Sequence, residues 1–232
     1  MNTELLVSSQ VGIVSSFDAL INTKFHDDVN AICWARNLSG DFKEIVSKLR
    51  LKENVTDVSI DELLQLQLSV NGCSARETIL SDFKLLEELG ASPFLNLIKF
   101  YPRDEDADLI STDVYSYHVD RSPIVADTFL CTYHGTASEI IPNNQVDQKI
   151  LIPEIREKLK AFYNGPKANF DAFLEAHFFD LHYQPKTDAT PINLGVGNLW
   201  KLAVDYPEQT VLPCVHRAPL ENEGEYRLLM IC

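Results

Sequence analysis

Apolar residues recur at helical spacing in the first part of the chain. In "SGDFKEIVSKLR" (39–50) and "SARETILSDFKLLEELG" (74–90) they follow the three- and four-residue steps of one helix face. The second run stops at Gly90, a typical helix end. "SIDELLQLQLSV" (59–70) fits a helix or a strand, but Ser59 and Glu62 have the spacing of a capping box. Residues 1–92 are therefore predicted to be mainly helical.

The pattern then changes to short segments rich in aromatic and β-branched residues, which is typical of strands. These segments are "PFLNLIKFYP", "DVYSYHVD", "ADTFLCTYHG", "PINLGVGNLWKLAV", "VLPCVHRAP" and "EYRLLMIC". Helical spacing returns in an insertion at about 146–183, in "LIPEIREKLKAFYNG" and "NFDAFLEAHFFDLHY". We predict a single α+β domain over 1–232, with a β-sandwich or jelly-roll core in 93–232.

The composition limits which binding partners and which cellular compartment are expected. The 232 residues carry a net charge of −14, which repels nucleic-acid phosphates and anionic lipids. No run approaches the ~20 apolar residues of a membrane helix, and the N-terminus lacks the basic region of a signal peptide. The five cysteines have no CxxC spacing, which argues against disulfides and a cysteine-rich zinc site. We expect a cytoplasmic protein without nucleic-acid or membrane partners.

A candidate metal site begins with His118 and Asp120. Residues two apart on a strand point to the same face, so both side chains could bind one ion. The alternative is a buried hydrogen-bonded pair. His216, near the start of a late strand, could supply the third ligand, although it could also be a turn histidine between Pro213 and Pro219. Two imidazoles and one carboxylate suit Fe(II) and leave coordination positions open for catalysis.

Arg227 is a candidate anion site. It alternates with Leu229 and Ile231, so its strand face is predicted to point inward. An inward arginine in an acidic protein requires an anion, and a carboxylate matches its planar fork. The alternative is a surface ion pair with the nearby acidic residues Glu221, Glu223 and Glu225.

The order HxD, distal His and following Arg resembles the Fe(II)/2-oxoglutarate-dependent dioxygenase superfamily, whose fold is a double-stranded β-helix, a jelly roll. A closer resemblance is to a bacterial family of uncharacterised proteins. Four blocks carry it: "VNAICWAR" (29–36), "YHVD" (117–120), "LCTYHGTASEIIPN" (130–143) and "VHRAPLENEGEYRLLM" (215–230). Together they extend over most of the chain.

The resemblance implies that His118, Asp120 and His216 bind a catalytic Fe(II), and that Arg227 anchors 2-oxoglutarate as the small-molecule co-substrate. Further residues are expected to contact a carboxylate or to line the pocket: Arg217, Lys99, Tyr101, Thr132 and Tyr133. Here a long helical segment separates Asp120 from His216, and we expect it to cover the site.

Two other functions stay open. The same three residues could hold Zn²⁺ or another divalent ion in a non-catalytic protein of metal sensing or homeostasis, because divalent affinity alone does not favour iron. A degenerate fold could also serve as an interaction module. His177 and His182 flank Asp180, but their spacing does not align on one helix face, so no zinc site is expected there. The substrate and the oligomeric state are not predicted.

Overall fold

The computed structural model describes residues 8–104 and 109–232. The strands within these residues are β1 (Val11–Val14), β2 (Ala31–Trp34), β3 (Val55–Asp57), β4 (Phe94–Ile98), β5 (Tyr117–His118), β6 (Asp127–His134), β7 (Glu139–Ile140), β8 (Val146–Gln148), β9 (His182–Pro185), β10 (Ile192–Asn193), β11 (Leu199–Ala203), β12 (His216–Arg217) and β13 (Arg227–Ile231). The α-helices are α1 (Phe17–Asn22), α2 (Phe42–Lys48), α3 (Ile60–Gln65), α4 (Val70–Glu88), α5 (Pro153–Phe162) and α6 (Phe170–Ala176).

Local capping explains where the helices begin and end. The Ser59 hydroxyl accepts a hydrogen bond from the Glu62 amide, and the Glu62 carboxylate accepts one from the Ser59 amide, so the predicted capping box of α3 is confirmed. α5 begins with Pro153, which is tolerated in a first turn. After α4, Gly90 adopts a φ of +90°, a conformation that favours glycine.

The strands form two sheets, which agrees with the α+β prediction. One sheet has seven strands in the order β1-β2-β11-β6-β13-β4-β3, and the other has six in the order β10-β7-β12-β5-β9-β8. The prediction for residues 1–92 was incomplete, because this part also contributes β1, β2 and β3. These strands join both ends of the seven-stranded sheet, and their partners β11 and β4 lie far away in the sequence.

The seven-stranded sheet has a different core on each face. One face packs against the helices of the N-terminal part, through residues such as Leu63, Ile79 and Leu86. The other face packs against the six-stranded sheet, with Leu130 and Ile140 in one cluster. Strand β6 shows the division clearly, since Phe129, Cys131 and Tyr133 contact the helical side and the residues between them point to the second sheet.

The insertion is partly helical, as predicted. α5 and α6 share a small apolar cluster that includes Leu159, Phe170 and Leu174. The second helix is shorter than its sequence pattern suggests. It ends at Ala176, Phe178 takes a positive φ of 58°, and the chain enters β9 at His182. β9 pairs with β5 on one side and with the edge strand β8 of the six-stranded sheet on the other. In the part of the chain described, no helix combines the length and the apolar character needed to cross a bilayer.

Candidate metal centre

His118, Asp120 and His216 converge on one point. Each offers a ligand atom, and these atoms all lie within 4.8 Å of one another. His118 on β5 and His216 on β12 are direct partners across neighbouring antiparallel strands, with ring centroids 4.5 Å apart. Asp120 follows β5, and its Oδ2 lies 3.7 Å from His216 Nε2. Strand pairing thus joins residues almost a hundred positions apart into a group that could hold a metal ion.

Backbone carbonyls orient both imidazoles. His118 Nδ1 lies 2.7 Å from the carbonyl oxygen of Ser116, and His216 Nδ1 lies 3.2 Å from that of Cys214. When Nδ1 carries the proton and donates it to these carbonyls, the Nε2 lone pairs are free for a metal. The Thr128 hydroxyl donates to Asp120 Oδ2 over 2.5 Å, which holds the carboxylate in place.

The protonation states suit metal binding. Burial and the neighbouring His216 lower the pKa of His118 to about 4, so its imidazole is neutral at pH 7. Burial acts to raise the pKa of Asp120, but the His216 imidazole and the Thr128 hydrogen bond outweigh it and lower that pKa. The centre therefore presents a neutral imidazole and a carboxylate, which are the forms that bind metals.

The group is open on one side. The side chain of His216 is 11% exposed and that of Asp120 is 36% exposed. A divalent ion held by three protein ligands would keep positions free for water or a co-substrate, in contrast to a closed structural site.

Arg227 is buried without a carboxylate partner among the described residues. It is 7% exposed, and Leu229 from the same strand face is also buried, so the predicted inward orientation is confirmed. Its Nη2 donates to the Thr132 and Ser138 hydroxyls over 3.2 and 2.7 Å, while its buried Nε has no protein acceptor within 8–104 and 109–232. Burial lowers the pKa of this guanidinium. A buried charge of this kind is costly unless a ligand pairs with it.

Two of the three acidic residues that the alternative interpretation offered as ion-pair partners of Arg227 have other partners. Glu221 accepts a hydrogen bond from Arg103 over 2.9 Å, and Glu225 accepts one from Asn222 over 2.7 Å. Arg217, expected to compete for the anion, points to the opposite face of its strand from His216. It donates to Glu139 Oε2 from Nε and Nη2, over 3.0 and 2.8 Å.

The remaining predicted residues lie in two places. Lys99 and Tyr101 line a cavity beside Arg227, and Thr132 contacts Arg227 directly. Tyr133 lies away from the centre because side chains alternate along β6. Its ring stacks on Phe42 with centroids 5.5 Å apart, and the expectation that it lines this pocket does not agree with that position.

His182 is a neighbour that the sequence reasoning missed. It is the direct partner of His118 across β5 and β9, so His182, His118 and His216 stand side by side on three adjacent strands. The His182 and His118 ring centroids are 5.8 Å apart. Near His182, only the short segment "HYQP" has a strand-like pattern, and the residues before it have a helical one.

A second charged cluster, which we call the ion-pair cluster, comprises Arg36, Asp82 and Tyr133. The Arg36 guanidinium donates to both Asp82 oxygens over 2.6 and 2.7 Å, and the Tyr133 hydroxyl donates to Asp82 Oδ2 over 2.7 Å. It lies on the helical side of the seven-stranded sheet. Two of the sequence blocks, "VNAICWAR" and "LCTYHG", thus meet α4 here.

Comparisons of the chain with protein families, with curated proteins and with solved structures find no match. The function of the chain is therefore inferred from its own geometry.

Proposed function

We propose that the protein is a non-haem Fe(II)/2-oxoglutarate-dependent oxygenase that oxidises a substrate yet to be identified. The observation that carries this proposal is Arg227, which has no carboxylate partner among the described residues and lies between the two sheets, as the three candidate ligands do. Thr128 donates a hydrogen bond to Asp120, and Thr132 accepts one from Arg227. The two threonines are four residues apart on β6, so their side chains point to the same face of the strand. An open metal site and a buried cation on one strand face match a ligand with a chelating end and an anionic end.

The strand order supports a double-stranded β-helix. From β4 to β7 the chain alternates between the seven-stranded and the six-stranded sheet, and from β10 to β13 it alternates again. The strands of these two passages form the quartets β11-β6-β13-β4 and β10-β7-β12-β5, and eight strands in two facing sheets are typical of a jelly roll. His118 and His216 belong to the second quartet, Asp120 directly follows its strand β5, and Arg227 belongs to the first.

Each residue has a distinct role in this proposal. His118, Asp120 and His216 would hold the ion, and Thr128 would orient the carboxylate. Bound Fe(II) would couple the oxidative decarboxylation of 2-oxoglutarate by O₂ to insertion of one oxygen atom into a substrate C–H bond. Arg227 would pair with the distal carboxylate of 2-oxoglutarate, which supplies the acceptor that its buried Nε lacks among the described residues.

Anaerobic titration tests the proposal. Fe(II) and 2-oxoglutarate together are expected to give the weak visible charge-transfer band of the chelate. Arg227→Gln should keep metal binding but weaken 2-oxoglutarate binding at least tenfold, because a charge-assisted bidentate contact is lost. Arg217→Gln is the matched control, since this arginine already pairs with Glu139, and it should behave like the unmodified protein. Absence of the band would contradict the oxygenase proposal.

A non-catalytic divalent-metal protein, serving metal sensing or homeostasis, is the second candidate. One observation favours it: the cavity that Arg227 lines contains none of the three candidate ligands in its wall. Thr128 and Thr132 are also four residues apart, roughly 13 Å along a strand. Tight Zn²⁺ binding that 2-oxoglutarate does not alter would favour this candidate over the oxygenase.

We also propose a cytoplasmic location. All five cysteines are free thiols, which is the usual state in a reducing compartment.

A further inference from the structure

His182 is buried beside the candidate metal centre. It is 4% exposed, and its buried Nδ1 has no partner in the part of the chain described. Its strand partner His118, in contrast, is held by the Ser116 carbonyl. Buried polar side chains are normally hydrogen-bonded, so an unpartnered imidazole nitrogen next to an open site calls for a ligand.

Lys149 adds a cation to the same neighbourhood. It follows β8 at the start of a short 3-10 turn. The pKa of His182 is lowered by burial, then by the neighbouring His118, and then by the positive charge of Lys149. Its Nζ donates to the Ser116 hydroxyl over 2.8 Å. Within residues 8–104 and 109–232 no carboxylate forms an ion pair with it, although burial lowers the pKa of this amine. The remaining Nζ donors are available to an acceptor.

The carboxylates nearest to this pair are already engaged. Asp113 accepts hydrogen bonds from the backbone amides of Tyr115, Ser116 and Asp104. Asp104 in turn accepts from the Thr112 amide over 3.2 Å. Among the described residues, neither carboxylate forms a hydrogen bond or an ion pair with His182 or Lys149.

We infer that His182 and Lys149 form a binding site for an anionic group, a carboxylate or a phosphate, of the primary substrate. Naming this ligand the substrate rests on the proposed oxygenase function, whereas the anion site itself does not. The His182 and His118 rings lie 5.8 Å apart, so an anion held here would place the rest of its molecule next to the open side of the metal centre. The inferred substrate class is thus a small acid or a phosphorylated compound.

Anion titration of the full chain tests the site. The protein is stripped of metal, and inorganic phosphate or acetate is added at low ionic strength while the imidazole NMR signals of His182 and His118 are followed. Lys149→Gln and His182→Asn should weaken binding at least fivefold, and the anion that binds more tightly indicates the class of substrate group. Lys149 is only partly buried, so its variant should fold even if the buried His182→Asn variant does not.

One control variant and one comparison locate the anion. Lys186→Gln, at an exposed lysine bonded to the Asn144 carbonyl, should leave binding unchanged. Arg227→Gln removes the other proposed anion site, and the response of the His182 and His118 signals to the anion should persist in it. The inference is overturned if neither anion binds, if Lys149→Gln binds as tightly as the unmodified protein, or if only Arg227→Gln loses binding. The assay contains neither metal nor 2-oxoglutarate, so its failure is distinct from absence of the chelate band.

Discussion

The two charged clusters on opposite faces of the seven-stranded sheet differ in how completely their polar atoms are paired. In the ion-pair cluster, Arg36 uses both terminal nitrogens on Asp82 and donates from Nε to the Gly197 carbonyl over 2.9 Å. Both side chains are almost fully buried, at 8% and 3% exposure. On the inter-sheet face, within the part of the chain that the structure describes, Arg227 donates hydrogen bonds only to two hydroxyls, both from Nη2, and the candidate metal ligands leave lone pairs free.

This difference distinguishes a cluster that stabilises the fold from a site that could bind a ligand. A buried charge that has all its partners stabilises one arrangement of the chain, whereas a buried charge that lacks them lowers stability until a ligand binds. The pKa values agree with this distinction. Despite burial, hydrogen bonding to Asp82 raises the pKa of Arg36, while burial lowers the pKa of Arg227. The family resemblance alone assigns Tyr133 of the ion-pair cluster and Arg227 to the same binding site.

The largest expected effect is on the ion-pair cluster. Arg36→Met should reduce the free energy of unfolding by about 3–5 kcal/mol, because it leaves the buried Asp82 carboxylate without its cation. Urea denaturation measures this. The double variant Arg36→Met/Asp82→Leu should recover much of the loss, since no unpaired charge remains. A loss below about 1 kcal/mol in the single variant would show that the cluster is not a structural anchor.

Acid should destabilise the metal-free protein through His118. Its pKa falls from 6.5 to about 4 on folding, so the unfolded chain binds the proton more tightly. Stability present above pH 6.5 is lost as pH falls towards 4, by about 3 kcal/mol for this one group. Urea denaturation at pH 7, 5 and 4 should show a smaller loss in His118→Asn. Parallel pH profiles for the two proteins would contradict the assigned pKa.

Metal should stabilise the intact centre by mass action. Zn²⁺ at a hundred times its Kd is expected to raise the free energy of unfolding by about 2.7 kcal/mol. Asp120→Asn should abolish most of this increase and leave metal-free stability nearly unchanged, because an amide oxygen can still accept from Thr128. Thermal denaturation with and without metal measures both quantities. Equal stabilisation of variant and unmodified protein would exclude Asp120 as a ligand.

The smallest expected effect on stability is that of replacing Arg227, and it contrasts most clearly with the effect of replacing Arg36. Arg227→Met should leave the free energy of unfolding within about 1 kcal/mol of the unmodified protein or raise it, because an apolar side chain replaces a buried charge that has no carboxylate partner among the described residues. Arg36→Met makes the same change of residue type, but its expected loss of stability is several times larger. A loss of about 3 kcal/mol or more would mean that the Thr132 and Ser138 hydroxyls suffice as partners.

Prediction succeeded where a signal is contained within a few residues. The spacing of Ser59 and Glu62 encodes the start of α3, and Pro153 marks the start of α5. His118 and Asp120 are two residues apart, so a shared face is a local property. Their convergence with His216 followed from assigning the right strands, although β5 and β12 contain only two residues each. The roles of iron and 2-oxoglutarate stay predictions.

Prediction missed what depends on pairing over long distances. β1 and β2 belong to the large sheet because β2 pairs with β11, more than 160 residues away. His182 reaches His118 only through the pairing of β5 with β9. Tyr133 was placed in the pocket because the face of β6 that meets each core was unknown, and a shift of one residue exchanges the two faces.

Local signals in the sequence specify the capped start of α3, most of the strand-forming segments after residue 92 and the types of residue available for metal and anion binding, because caps, turns and periodicity act between near neighbours. Which charges are paired depends on the tertiary structure. Arg36 and Arg227 are the same residue type in inward positions, yet one contacts a carboxylate from α4 and the other donates to two hydroxyl groups. Partners of that kind come from distant strands and helices, so only the packed fold distinguishes a structural arginine from a candidate binding residue.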